Sequence, residues 1–357
     1  MKENSFQIEN KTISKNSPTY FIADIAANHD GDIERAKDLI HLAAEAGADA
    51  AKFQHFQAQT IVSDFGFKEL GSQKSHQANW SKSVYEVYDA ASVSLDWTTT
   101  LIEVCKKAKV AFFTTPYSLE IVDFIDSFVP AYKIGSGDIT WEEMLTKVAK
   151  KNKPYFLASG ASNINEVKNA MKTCLSINKN LCLMQCNTNY TAEIENFKYI
   201  NLNVLKTFKS LFPEIVLGLS DHTPGHITVI GAITLGARVI EKHFTDNTNR
   251  EGPDHAFSMD YNSWQEMVNR SRELELALGD GFKKLEVNEK ETAILQRRSL
   301  RANRNLSVGH IVSKEDFKPL RPCPNDAMPL NEIKKLTGKK LIRDIKANDY
   351  LKKNDVD

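Results

Sequence analysis

Apolar positions along the chain gather into short runs rich in β-branched and aromatic residues, and between them lie longer stretches whose apolar residues recur every three or four positions. The runs are Tyr20–Ala26, Ala48–Phe53, Val110–Thr114, Tyr132–Gly135, Tyr155–Ala158, Leu181–Gln185, Ile215–Leu219 and Arg238–Phe244. Each reads as a strand, and most have a helical pattern after them. In Ile33–Ala46, for example, Leu39, Ile40 and Ala43 share one face. Asn163 with Glu166 reads as a capping box that opens another helix. Eight strand–helix repeats in about 280 residues predict an α/β fold, a (β/α)8 TIM barrel, whose usual size is ~250 residues.

The departures from that repeat are informative. Phe6–Ile8 and Thr12–Ser14 flank a polar corner and predict an N-terminal hairpin. Gln57–Ser94 is too long for a plain connection and carries Trp80, Tyr85 and Tyr88, which suits a packed lid over the barrel. A last barrel helix is expected from Asn262 to about Ala277. This places a catalytic domain at residues 1–280, a charged linker at 281–297 and a turn-rich module at 298–357, too small for a core of any size.

Lys+Arg and Asp+Glu both number 46, so the formal net charge is zero, which argues against a nucleic-acid partner. No apolar run reaches the ~20 residues that span a membrane. The N-terminus is too polar for a signal peptide. Five cysteines without CxxC spacing suit reduced thiols and a cytoplasmic location.

Chemistry collects where the strands end. The seventh and eighth runs form a strand–helix–strand unit whose carboxyl ends carry His222 and His243, on the same side of the sheet. Two imidazoles there can hold a divalent metal, with oxygen ligands completing the shell. Ser220, Asp221, Glu241, Lys242, Asp254 and His255 crowd the same ends, more ionisable groups than packing explains. The other strands offer Asp24, Lys52, Gln54, Thr115, Tyr117, Lys133, Ser136, Asp138, Ser159, Asn187, Thr188 and Tyr190. Two lysines with Ser136 between glycines and Ser159-Gly160 before a helix suggest an anion site for a phosphorylated substrate. A Schiff-base lysine is the alternative. A metal beside the anion would polarise a carbonyl of a second reactant.

The ordered motifs FIADIAANHDGD, AAKFQHF, TTPYS, YKIGSGDIT, FLASGAS, GLSDHTPG, VIEKHF and GPDHAFSMD resemble those of the sialic acid (N-acetylneuraminate) synthase family, and the terminal module resembles its antifreeze-like (SAF, β-clip) domain. That resemblance implies condensation of phosphoenolpyruvate with an open-chain N-acyl hexosamine to a nine-carbon 2-keto acid. It implies a divalent metal, usually Mn2+ with Mg2+ or Co2+ possible, held by His222 and His243. Lys52, Lys133, Ser136, Ser159 and Ser220 match phosphoenolpyruvate contacts, and Gln54, Tyr190 and Asp254 match sugar contacts; Asn187 and Glu241 are further candidates. Arg321 stands where the family carries its sugar-contacting arginine, on a module that covers the partner's barrel in a swapped homodimer. Asp24 replaces the glutamate common in the first motif, and the sixth-strand segment lacks a Tyr-Pro pair, which leaves the acceptor sugar open. The competing readings are a synthase of seven- or eight-carbon keto acids and a non-catalytic sugar-binding barrel.

Overall fold

The computed structural model describes residues 4–71, 77, 80–191 and 193–357. The chain divides into two compact units, Met1–Gly279 and Asp280–Asp357.

In the first unit a hairpin, β1 (Phe6–Ile8) and β2 (Lys11–Ile13), precedes eight parallel strands. These are β3 (Tyr20–Asp24), β4 (Ala50–His55), β5 (Ala111–Pro116), β6 (Tyr132–Ile134), β7 (Tyr155–Ala158), β8 (Leu181–Cys186), β9 (Val216–Asp221) and β10 (Ala237–His243). The hydrogen-bonded order is β5-β4-β3-β10-β9-β8-β7-β6, a nearly closed TIM barrel. All eight predicted strands are present, and the predicted helix after β3 runs Ile33–Glu45 with Ala36, Leu39, Ile40 and Ala43 buried. The Asn163/Glu166 capping box is formed and opens the helix Ile164–Ile177.

The two-residue period of the strands explains where the chemistry sits. One set of alternate positions, among them Phe21, Ala23, Ala51, Phe53, Tyr132, Ile134, Leu217 and Ile240, packs into the large core beneath the helices. The intervening positions form a separate apolar cluster, Tyr20, Ile22, Ala50, Ala111, Phe113, Phe156, Cys182, Met184, Val216 and Val239, which Phe6, Ile8 and Ile13 of the hairpin join. Continuing that second parity to the carboxyl ends, the residues become Asp24, Lys52, Thr115, Lys133, Ser220 and Glu241. Asp221 and Lys242 have the other parity and form their own buried ion pair, supported by Thr223 and Thr228. The crowding expected at β9 and β10 is therefore sorted onto two sides of the sheet.

Among the described residues of the insertion after β4 are three short α-helices, Ala58–Ile61, Asp64–Glu69 and Val84–Ala91. The last helix of the unit runs Tyr261–Leu278, with Trp264 edge-on against Phe244 at 5.6 Å.

The second unit pairs β11 (Ser299–Ala302) antiparallel with β12 (Phe317–Leu320). It does have a core, contrary to expectation: Leu300, Ala302, Leu306, Val312, Phe317, Met328, Leu336, Leu341, Ile345 and Leu351 form one buried cluster. These residues are spaced by turns and isolated bridges rather than by a helix or strand period, so no periodicity marks them in the sequence. Part of the expected linker is helical, Lys290–Gln296.

Candidate active site

At the carboxyl ends of the strands lies a cavity of about 460 Å³. Two buried ion pairs form its floor. Lys52 Nζ lies 2.6 Å from Asp24 Oδ2 and donates to Thr115 Oγ1 at 3.2 Å. Lys133 Nζ lies 2.7 Å from Glu241 Oε1, which also accepts from the Ser220 hydroxyl at 3.1 Å. Glu241 Oε2 is buried without a hydrogen-bond partner. Burial pushes Glu241 up, but Lys133 and Lys52 overcome it and hold the carboxyl below its ordinary range. Burial also lifts Asp24; Lys52 pulls it back and Glu241 pushes it further, with a net rise. Neighbouring carboxylates thus have opposite proton affinities, the pattern expected where one group exchanges protons and the other stays charged.

Above this floor, the His222 and His243 rings lie 5.4 Å apart. His222 Nδ1 is 3.0 Å from the Asn187 carbonyl oxygen, which assigns a proton to Nδ1. Burial lowers the affinity of the ring for a second proton, but Cys186, the Asn187 carbonyl and Asp221 overcome it and raise it above the ordinary imidazole range, so Nε2 becomes an electron-pair donor only when a metal displaces that proton. Burial, reinforced by the charges of His222 and the lysines, holds His243 well below the usual imidazole range, so it is neutral. Its Nε2 is 3.5 Å from Asp24 Oδ2; its Nδ1, 3.9 Å from Asp254 Oδ2, is buried and without a hydrogen-bond partner. Among the described residues no three His, Cys, Asp or Glu side chains converge as a metal-binding group. Two imidazoles, one neutral with an orphaned nitrogen, fit a divalent ion whose remaining ligands are water and substrate oxygens.

Gln54 Nε2 donates to Asp24 Oδ2 at 3.1 Å. Tyr190 packs over His222, with ring centres 4.4 Å apart. Asp254 accepts from the Ala27 backbone N–H at 3.1 Å, and burial raises its carboxyl to about 6. The loop bearing Asp254 is pinned by His255, which bridges Asp30 Oδ1 at 2.9 Å and Thr245 Oγ1 at 2.7 Å. Ser136 Oγ accepts from Gly160 N–H at 3.1 Å; a Cβ at Gly160 would lie 2.0 Å from Thr188 Oγ1, so only glycine permits this approach.

Of the residues singled out in the sequence, Asp24, Lys52, Gln54, Lys133, Ser136, Tyr190, Ser220, His222, Glu241, His243 and Asp254 line this one cavity. Ser159 does not: its hydroxyl donates to the Met184 carbonyl at 2.9 Å. The Asn187 side chain reaches the Tyr199 carbonyl at 3.4 Å, while its own carbonyl serves His222. Arg321 belongs to the second unit, where its Nε donates to the Gln296 carbonyl.

Two further lining groups carry chemistry: Asp138, which the sequence offered at the end of its strand, and Cys186, which was not among the expected site residues. Asp138, on the turn after Ser136, has a buried Oδ2 without a hydrogen-bond partner, and burial raises its carboxyl to about 6. Cys186 shares the parity of Cys182 and Met184 on β8, and that parity was the available signal. Hydrogen bonding to His222 holds its thiol below the ordinary range despite burial.

Comparison with known proteins gives two family matches, the NeuB family over residues 39–283 and the SAF domain over residues 297–357. The chain is 35% identical to N,N'-diacetyllegionaminic acid synthase of Campylobacter jejuni, covering 85% of this chain and 91% of that protein. It is 31% identical to pseudaminic acid synthase of Helicobacter pylori, covering 95% and 98%. Among solved structures it resembles N-acetylneuraminic acid synthetase of Leptospira borgpetersenii, with a TM-score of 0.71 and 25% identity, covering 81% of this chain and 95% of that one.

Proposed function

The chain belongs to the NeuB family and ends in a SAF domain, and on that premise we propose that it is a nonulosonic acid synthase condensing phosphoenolpyruvate with an open-chain N-acyl hexosamine. N-acetylmannosamine or a related amino sugar is the acceptor; the products are a nine-carbon 2-keto acid and phosphate. The observation that carries the reading is the cavity floor, where two buried lysines, each held by a carboxylate, lie below two imidazoles.

Phosphoenolpyruvate brings a phosphate and a carboxylate, and among the described lining residues Lys52 and Lys133 are the lysines that can meet them. Ser136 and Ser220 add hydroxyl donors, and the Ser220 hydroxyl donates to Glu241. Carbon C3 of phosphoenolpyruvate forms the new bond to the aldehyde carbon, whose oxygen must gain a proton. Asp24, whose raised proton affinity suits a proton donor, gives it in this reading. The cation that develops at C2 faces Glu241, which stays ionised and stabilises it. Water adds at C2 and loses a proton, and breaking the C2–O bond releases phosphate. Gln54, Tyr190 and Asp254 orient the sugar. A divalent ion, Mn2+ foremost, held by His222 and His243, would supply Lewis-acid polarisation of the aldehyde.

The same reading assigns Arg321 to the acceptor and makes the working form a cytoplasmic homodimer in which each terminal unit serves the other copy. The test is phosphate release from phosphoenolpyruvate that requires the amino sugar, with a product mass equal to sugar plus pyruvate. Release without sugar, or no release with any amino sugar, would overturn it.

A further inference from the structure

Asp221 and Lys242 immediately precede His222 and His243 in the chain, and neither is among the described residues that line the cavity. Their side chains are each 1% exposed, with Lys242 Nζ 2.5 Å from Asp221 Oδ2. The same carboxylate oxygen accepts from the hydroxyls of Thr223 at 2.8 Å and Thr228 at 2.7 Å, and Lys242 also donates to the Thr223 carbonyl at 2.5 Å. Ions buried this deeply gain little stability over apolar groups of similar volume, so the pair calls for another reason.

The ladder between the two strands supplies one. Ala237 of β10 pairs with Leu217 of β9 and Val239 pairs with Gly218, which leaves Arg238 as an extra residue between them. A Cβ on Gly218 would lie 2.8 Å from the Val239 carbonyl oxygen, so the approach at this bulge requires glycine. Beyond it the register is regular and ends with Lys242 opposite Asp221, one residue short of both histidines. His243 is still paired, with Asp24 of β3, whereas His222 lies past the end of β9. A slip of one residue between β9 and β10 would carry an imidazole to the other side of the sheet. The aromatic neighbours do not prevent it: Phe257 lies 4.8 Å from the His243 ring and 5.9 Å from the His222 ring, contacts that set no register.

We propose that Asp221 and Lys242, with Thr223 and Thr228, are positioning residues, a buried register lock on the side of the sheet away from the cavity that sets the spacing and facing of His222 and His243 for a divalent ion. The single ammonium holds the carboxylate before His222 and the carbonyl after it, and so brackets that histidine from β10. The proposal rests on the reading of the two histidines as ligands of the ion.

The test removes the lock without leaving a charge unpaired. Asp221→Asn combined with Lys242→Met deletes one charge of each sign at similar volume and leaves the net charge unchanged. Mn2+ binding to the full-length protein is titrated by electron paramagnetic resonance, beside calorimetric melts and phosphate release at varied phosphoenolpyruvate. The double variant should melt close to the parent and bind Mn2+ roughly 10–100-fold more weakly, the range for an outer partner of a metal ligand. KM for phosphoenolpyruvate at saturating Mn2+ should stay unchanged, since Lys52 and Lys133 line the cavity on the other side of the sheet. Parent-like Mn2+ affinity in the folded double variant would overturn the lock and leave the ligand assignment standing, whereas a parent that binds no Mn2+ would overturn both. Should the double variant fail to fold, Thr228→Val decides: it keeps both charges, removes one hydroxyl from Asp221, and should weaken Mn2+ binding several-fold with little change in melting temperature. Unaltered affinity there would equally overturn the lock.

Discussion

Replacing Lys133 with methionine tests the floor of the cavity through stability as well as activity. Its ammonium lies 2.7 Å from Glu241, and both side chains are at most 5% exposed. Glu241 Oε2 already lacks a partner, so the variant leaves a buried carboxylate with the Ser220 hydroxyl as its hydrogen-bond donor and only the more distant charge of Lys52 to offset its burial. Breaking a buried pair from one side costs about 3–5 kcal/mol. For a domain of this size that lowers the melting temperature on the order of 10 °C. The pH dependence gives the mechanism. In the parent, Glu241 is held below its unfolded value, so its contribution is present above that value and lost as pH falls. In Lys133→Met its folded value rises above the unfolded one, so the deficit is greatest at pH 8 and shrinks as pH falls and Glu241 takes up a proton. Adding Glu241→Gln should recover most of the loss, a coupling of about 2 kcal/mol or more. KM for phosphoenolpyruvate should rise on the order of 10–100-fold, as for a lost charge-assisted bond. Calorimetric melts across pH 5–8 on the parent, both single variants and the double variant decide it. A single variant as stable as the parent at pH 8, or strictly additive losses, would refute the reasoning.

His222→Ala and His243→Ala should each abolish Mn2+ binding read by electron paramagnetic resonance, and with it turnover, while the melting temperature stays close to the parent's; full turnover in excess chelator would remove the metal from the account. His55, clasped between Thr114 and Thr98, and His29 are both lowered by burial to about 4. Their neutral forms stabilise the fold fully above the unfolded value near 6.5, and that contribution, about 3 kcal/mol each, is lost as pH falls toward 4. His55→Gln should therefore lose less melting temperature between pH 7 and 4.5 than the parent; an equal loss would contradict the assignment. Inactive Arg321→Ala and His243→Ala chains refolded together should regain about a quarter of the sites if the terminal unit serves the other copy in a two-fold dimer. Mixed dimers with no activity would exclude that arrangement.

The barrel was legible because short apolar runs rich in β-branched residues, alternating with amphipathic helices, leave few other folds, and each strand-end list could be written from the sequence. Parity within a strand was harder to use. Asp221 and Lys242 look like neighbours of Ser220 and Glu241, yet a one-residue offset sends them to the opposite side of the sheet. Ser159 shows the limit of the anion-site reading, since a hydroxyl at a strand end can donate to a neighbouring backbone carbonyl, here that of Met184, instead of to a ligand. The apolar part of the cavity lining was hidden for a third reason: Ile61, Val87 and Tyr88 line the cavity from short helices of the insertion, too brief for a periodic signal.

The account rests on cleavage of the carbon–oxygen bond of phosphoenolpyruvate during condensation with an amino sugar. Phosphoenolpyruvate labelled with oxygen-18 at the bridging position, incubated with the enzyme, Mn2+ and acceptor, follows that bond directly by mass spectrometry. The expected result is label in inorganic phosphate, none in the keto acid, and a keto acid three carbons longer than the sugar. Label retained in the organic product, or phosphate released with pyruvate and no lengthened sugar, would contradict it.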